Sequence, residues 1–218
     1  MYICAVVNFK SIAMLIKLYP ENPAPRHLKI INECLADGGV IIYPTDTVYG
    51  FGCSIAKPKA VERIARIKGV EMKHHNFSVI CSDISQLSDY VRPIPNHIFR
   101  ILKKTLPGPY TFILEANHNV PKLIHRKKKQ VGIRIPDNNI AREIVNYLGN
   151  PMLSSSVLHD DEILEYRTDP ELIYERYRDV VDIVVDGGYG DNNPSTIIDC
   201  TGDEIDIIRE GKGPVDFL

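Results

Sequence analysis

No two of the five cysteines, at positions 4, 34, 53, 81 and 200, form a C-x-x-C pair. That spacing removes the usual zinc and thioredoxin-like readings. An odd number of scattered thiols fits a reduced, cytoplasmic protein rather than a disulfide scaffold. Cys53 and Cys81 sit in apolar stretches and read as small core residues. No stretch approaches the roughly 20 apolar residues of a membrane span. There is also no excess of one charge. The formal net charge of the 218 residues is −2, so nothing global favours nucleic acid. The one dense basic run, Arg126 to Lys129, reads either as a solvated loop or as a contact to phosphate or RNA.

Three catalytic or binding signatures are missing as well. No G-x-G-x-x-G follows the first core strand, so the clean doubly wound dinucleotide fold is not indicated. No G-x-x-x-x-G-K-[ST] is present to cradle phosphate. No G-x-S-x-G elbow presents a serine nucleophile. The adjacent His74 and His75 point to different sides of the chain, which argues against a paired metal site.

What is present is an ordinary globular composition, 44% hydrophobic and 25% charged, in a chain long enough to bury a core unaided. Residues 1–13 are apolar, without a basic start or a convincing cleavage pattern. They read as a non-core extension, and residues 14–218 as a single domain. Helices are expected over residues 26–37, 57–68, 83–90, 95–104, 139–148 and 170–178. Strands are expected at 15–19, 40–43, 77–81, 110–116, 131–135, 152–156, 180–186, 195–199 and 205–210. Some strands follow one another through short turns. That order predicts an α/β protein with a mixed parallel and antiparallel sheet and flanking helices.

Five places could carry chemistry. Tyr43 to Gly52 delivers Thr45, Asp46, Thr47 and Tyr49 to a turn at a strand end, closed by Gly50 and Gly52. It reads as one wall of a small-molecule site or as a tight turn with Asp46 and Thr47 bonding the backbone. Lys68, before Gly69, is either a cation on a helix C-terminus or an ammonium for phosphate. Ser154, Ser155 and Ser156 end an apolar strand and form a polar rim able to bond a carboxylate, amide or phosphate. Arg134 interrupts the apolar Val131 to Ile135 and is either structurally paired or offered to a carboxylate. Ser195 to Asp199 and Ile207 to Gly211 again carry polar groups on apolar strands.

In this order, seven segments resemble the YrdC/YciO family, best known for L-threonylcarbamoyladenylate synthases. They are Gly39 to Gly52, Arg63 to Gly69, Pro107 to Thr111, Val131 to Pro136, Pro151 to Ser156, Pro194 to Asp199 and Arg209 to Gly211. The similarity runs from about Gly38 to Gly213. His75 to Ser78, Tyr110 to Leu114 and the ending from Gly211 resemble the YciO branch. The resemblance implies a twisted mixed sheet with a large, positively lined, concave cleft. It implies an enzyme that combines ATP, bicarbonate and L-threonine into threonylcarbamoyladenylate and pyrophosphate, for modification of an adenosine in tRNA. On this chain Thr45, Arg134, Ser154 and Ser195 would face the threonine. Lys68, Ser156 and Arg209 would face the nucleotide, with Lys68 and Ser156 nearest the chemistry. Mg²⁺ would travel on the phosphates rather than in a carboxylate cage. Binding of tRNA or double-stranded RNA without synthesis is the alternative the resemblance leaves open. Two departures bear on it. The family's Lys-x-Arg reads Lys68-Gly69-Val70 here, and its Ser-x-Asn reads Ser156-Val157-Leu158.

Overall fold

The computed structural model describes residues 12–71, 77–125, 129–157, 168–202 and 204–216. The histidine pair, residues 126–128 of the basic run, Leu158 and most of the proposed extension lie outside these. Ala13 is buried, and its N–H donates to the Arg178 carbonyl, so the domain takes in the last residue of that extension.

In chain order the elements are β1 (Met14–Lys17), α1 (Pro25–Ala36), β2 (Ile41–Tyr43), β3 (Gly50–Ser54), α2 (Pro58–Ile67), β4 (Ser78–Ile80), α3 (Ile84–Ser88) and α4 (Asn96–Thr105). They continue with β5 (Tyr110–Glu115), β6 (Gln130–Arg134), α5 (Asn139–Leu148), β7 (Met152–Ser156), α6 (Pro170–Tyr177), β8 (Ile183–Asp186), β9 (Thr196–Asp199) and β10 (Asp206–Arg209). A short 3-10 turn, Lys122–Ile124, precedes β6.

Local signals account for the helices. Proline opens α1, α2 and α6, where its missing N–H costs nothing. The Asn138 side chain accepts from the Ala141 N–H at the start of α5, and Gly149, at φ +71°, ends it. Gly69, at φ +66°, does the same after α2.

The ten strands form one mixed sheet in the order β1-β8-β2-β3-β7-β4-β6-β5-β9-β10. The pairs β1/β8, β2/β8, β4/β6 and β5/β9 are parallel and the others antiparallel. One strand departs from the sequence reading. Gly50 and Gly52 do not close a turn; they belong to β3, which lies buried at the sheet centre between β2 and β7. Propensity argues against glycine in a strand, but crowding requires it here. A Cβ at Gly52 would lie 2.8 Å from Met152 Sδ and 2.9 Å from Tyr43 Cε1.

The two sheet faces differ. Cys53, Leu153, Val79, Ile133, Phe112 and Ile198 are cross-strand partners in a continuous row. All six are buried against α2, α3, α4 and α6 in the larger core. The neighbouring row, on the opposite face, runs Gly52, Ser154, Ser78, Gly132. On that face α1 and α5 cover Ile41, Tyr43, Ile80 and Met152 in a second, smaller core. The serine and glycine row forms a polar floor beside these helices, buried except for the half-buried Ser78.

Burial also sets the thiol chemistry. It pushes the Cys53 thiol up to about 12 and raises Cys81 as well. At pH 8 both are expected to react with a thiol reagent roughly a thousandfold more slowly in the native protein than after unfolding. Labelling followed by peptide mapping checks this. Fast native labelling at either position would contradict the packing.

Candidate functional site

The turn after β2 is held by its own side chains. Thr45 Oγ1 donates to the Val48 carbonyl at 2.8 Å, accepts from the Thr47 N–H at 3.0 Å and meets Thr47 Oγ1 at 3.0 Å. Thr45 therefore shapes the turn, a part the sequence reading gives to Asp46 and Thr47. Arg134 reaches this turn from the end of β6. Its Nη2 donates to Asp46 Oδ1 at 2.8 Å and to Thr47 Oγ1 at 2.9 Å. The pair is largely buried, with both side chains 8% exposed. Asp46 Oδ2 also accepts from the Asp137 N–H at 3.1 Å. Arg134 Nε is buried and has no hydrogen-bond partner among the described residues. Arg134 is thus structurally paired through one nitrogen, while another donor of the same fork is unspent.

An open depression of about 440 Å³ lies at this turn, lined by Thr45, Asp46, Thr47, Tyr189, Gly190, Asp191, Asn192 and Lys212. Lys212 Nζ donates to the Asp46 carbonyl at 2.7 Å and pairs with Asp191 Oδ2 at 2.9 Å. The hydrogen bond from Lys212 holds the Asp191 carboxyl below its ordinary value.

The serines divide by face. Ser154 Oγ accepts from the Tyr43 hydroxyl at 2.7 Å, and burial pushes that phenol up to about 12. Ser155 alternates to the other face of the sheet. Ser156, opposite Gly50, presents its carbonyl to Lys68 Nζ at 2.6 Å. Lys68 follows the last turn of α2, so this contact binds the helix end to the end of β7. A third group surrounds Ser195. Its Oγ meets Thr111 Oγ1 at 2.8 Å, and its carbonyl accepts from Arg209 Nη2 at 2.7 Å. Thr111 follows Arg134 across the β5/β6 ladder, one step beyond the Phe112–Ile133 pair, and so shares its sheet face. Thr45 and Arg134 are therefore linked through Thr47, Lys68 and Ser156 meet directly, and Ser195 meets Arg209. The small-residue floor of Gly52, Ser154, Ser78 and Gly132 lies on the same face.

Asp46 as the partner of Arg134, Lys212 and Asp191 are additions from the structure. Asp46 lies inside the turn already singled out from sequence, and Lys212 directly follows the Arg209 to Gly211 segment. No sequence signal marks Asp191.

A family model described as Sua5_yciO_yrdC, Telomere recombination, matches residues 33–211. The chain belongs to the Sua5/YciO/YrdC family. The uncharacterized protein YciO of Escherichia coli strain K12 is 42% identical over 200 residues, covering 91% of this chain and 95% of that protein. The crystal structure of Escherichia coli YciO superposes with a TM-score of 0.86 at 40% identity, over 93% of this chain and 97% of that one. A putative threonylcarbamoyl-AMP synthase of Methanocaldococcus jannaschii is 31% identical over 210 residues, 94% of this chain and 96% of its own. Sua5 of Pyrococcus abyssi (P. abyssi), crystallised with L-threonine, shares the fold. Its TM-score is 0.86 at 24% identity, over 94% of this chain and 59% of that one. The mixed sheet with flanking helices that the resemblance implies is the fold of these relatives. The YciO likeness is the closer of the two branches, at 42% against 31% identity.

Proposed function

We propose that this protein binds ATP and L-threonine in the cleft and acts as a threonylcarbamoyl-AMP synthase of reduced efficiency, feeding tRNA modification in the cytoplasm. The observation that carries the reading is the unspent Arg134 Nε. A buried donor left unmade costs about 1–3 kcal/mol. A ligand carboxylate matches a guanidinium fork in charge and planarity. Thr47 adds a hydroxyl beside it, and Ser154 and Ser195 add hydroxyls on the same sheet face. The family relatives support L-threonine as the substrate. A synthase is 31% identical over nearly the full chain, and the Pyrococcus abyssi relative was crystallised with L-threonine.

In this reading the amino acid's nitrogen condenses with bicarbonate, losing water, to give a carbamate. A carbamate oxygen attacks the α-phosphorus of ATP and pyrophosphate leaves. Arg134 fixes the carboxylate end. Lys68, held against the Ser156 carbonyl, and Arg209 neutralise phosphate charge, and Mg²⁺ arrives on the phosphates. No covalent enzyme intermediate is needed, so positioning and charge neutralisation provide the catalysis. Purified protein supplied with ATP, bicarbonate and L-threonine is expected to release pyrophosphate and form the adenylate. Product no greater than in a no-enzyme control at high protein concentration overturns the reading.

A second reading is favoured by one observation. Val70, in place of the family's arginine, packs against the larger core and offers the nucleotide no charge. Nucleotide or tRNA binding without synthesis would then remain. A gel shift with tRNA that weakens steeply with salt, with no adenylate formed, distinguishes it.

A further inference from the structure

We propose that Lys212 is a positioning residue for the amino-acid side of the site, and that the strap at residues 211–214 thereby forms part of that site. The observation is how the Lys212–Asp191 pair grips the turn. Lys212 Nζ donates to the carbonyl of Asp46, and the Asp191 N–H donates to the next carbonyl, that of Thr47, at 2.7 and 3.0 Å. One ion pair of 2.9 Å thus holds two consecutive carbonyls, one from each partner. The residues so held are the two that contact Arg134, Asp46 by its carboxylate and Thr47 by its hydroxyl.

The strap presents the lysine from a fixed base. Gly211 N–H donates to Thr196 Oγ1 at 3.0 Å, Thr196 Oγ1 donates to the Gly213 carbonyl at 2.6 Å, and the Tyr110 hydroxyl donates to the Pro214 carbonyl at 2.9 Å. A Cβ at Gly211 would lie 2.3 Å from the Pro194 carbonyl oxygen, so the backbone there is in close contact. None of these contacts uses the Lys212 side chain. Removing that side chain should leave the strap docked and free the turn. An exposed ion pair adds little to global stability, and Lys212 is 41% exposed. Its role is local: it holds the Asp46 carboxylate where it occupies one nitrogen of Arg134 and leaves the other donors for a ligand. Pre-set geometry of this kind lowers the ordering cost of binding.

The amino-acid part of this inference rests on the function proposed above, so the test has two arms. Full-length Lys212→Met and Lys212→Arg are compared with the wild type. Without any ligand, amide exchange at Asp137 and Asp191 is expected to quicken by roughly tenfold or more in Lys212→Met, to stay near wild type in Lys212→Arg, and the Tm to shift little. With substrates, the KM for L-threonine is expected to rise roughly tenfold to a hundredfold in Lys212→Met with kcat nearly unchanged, and Lys212→Arg to recover most of it. Unchanged exchange in Lys212→Met overturns the proposal, as does an equal loss for ATP and L-threonine. A wild-type protein that ignores L-threonine overturns the function instead, while the exchange arm still decides whether Lys212 positions the turn.

Discussion

Replacing Arg134 by methionine is expected to lower the melting temperature by about 6–20 °C and to abolish any stabilisation by L-threonine. The Asp46 carboxylate is 8% exposed and pairs with this guanidinium at 2.8 Å. Removing one partner of a buried pair leaves an uncompensated charge and costs about 3–5 kcal/mol. For a domain of this size each kcal/mol moves the midpoint by roughly 2–4 °C. The Asp137 N–H would still bond Asp46 Oδ2, which places the expectation toward the lower end. The further change Asp46→Leu removes the stranded charge and should recover part of the loss. Thermal unfolding of the two single variants and the double variant forms the cycle that isolates the pair. A shift under about 2 °C for Arg134→Met would show that the carboxylate escapes to water and would contradict the burial of the pair.

The second large effect is a gain. The double variant Val70→Arg, Leu158→Asn restores the family's cation and amide beside Lys68 and Ser156. Each charge-assisted contact contributes about 1.5–3 kcal/mol. Together they should tighten ATP binding by roughly two to four powers of ten. Titration calorimetry with Mg·ATP measures this directly, and the pyrophosphate assay should rise in parallel. Val70 packs against the larger core, so a small loss of Tm is expected alongside the gain. An affinity within about threefold of wild type would mean that the nucleotide side is built on other residues. The exposed Arg66, in the last turn of α2 and four residues before Val70, would then be a candidate cation.

The sequence was most legible where structure is local. The strand and helix of Met152–Ser156 and Asn139–Leu148 match their sequence-based bounds to the residue, because Asn138, Gly149 and Pro151 punctuate them. Gly50–Ser54 was missed for a physical reason. Its glycines answer to Met152 and Tyr43, which are distant in sequence, and local propensity registers only their cost. Arg134 was recognisable as an anomaly inside an apolar strand. Its partner was not, since no pairing signal links Asp46 to Arg134 across a sequence separation of 88. The grip of Lys212 on Asp46 spans 166 residues, and sequence patterning does not reach that far. The resemblance to a known family identified which residues to examine, while only the fold revealed that Thr45 serves the turn and that Arg134 is half committed.

The position of β8 has a consequence for synthesis. β8 lies between β1 and β2 and is hydrogen-bonded to both. Those two strands come from the first 43 residues, and β8 ends at Asp186. A ribosome must therefore have released the chain through Asp186 before β1 can find its neighbour, or β2 its second one beside β3. Until then the N-terminal edges stay open, and an open strand edge invites pairing with other chains. In this protein vectorial emergence from the ribosome and completion of the sheet are far out of step, and the growing chain has a long interval in which a chaperone could hold it.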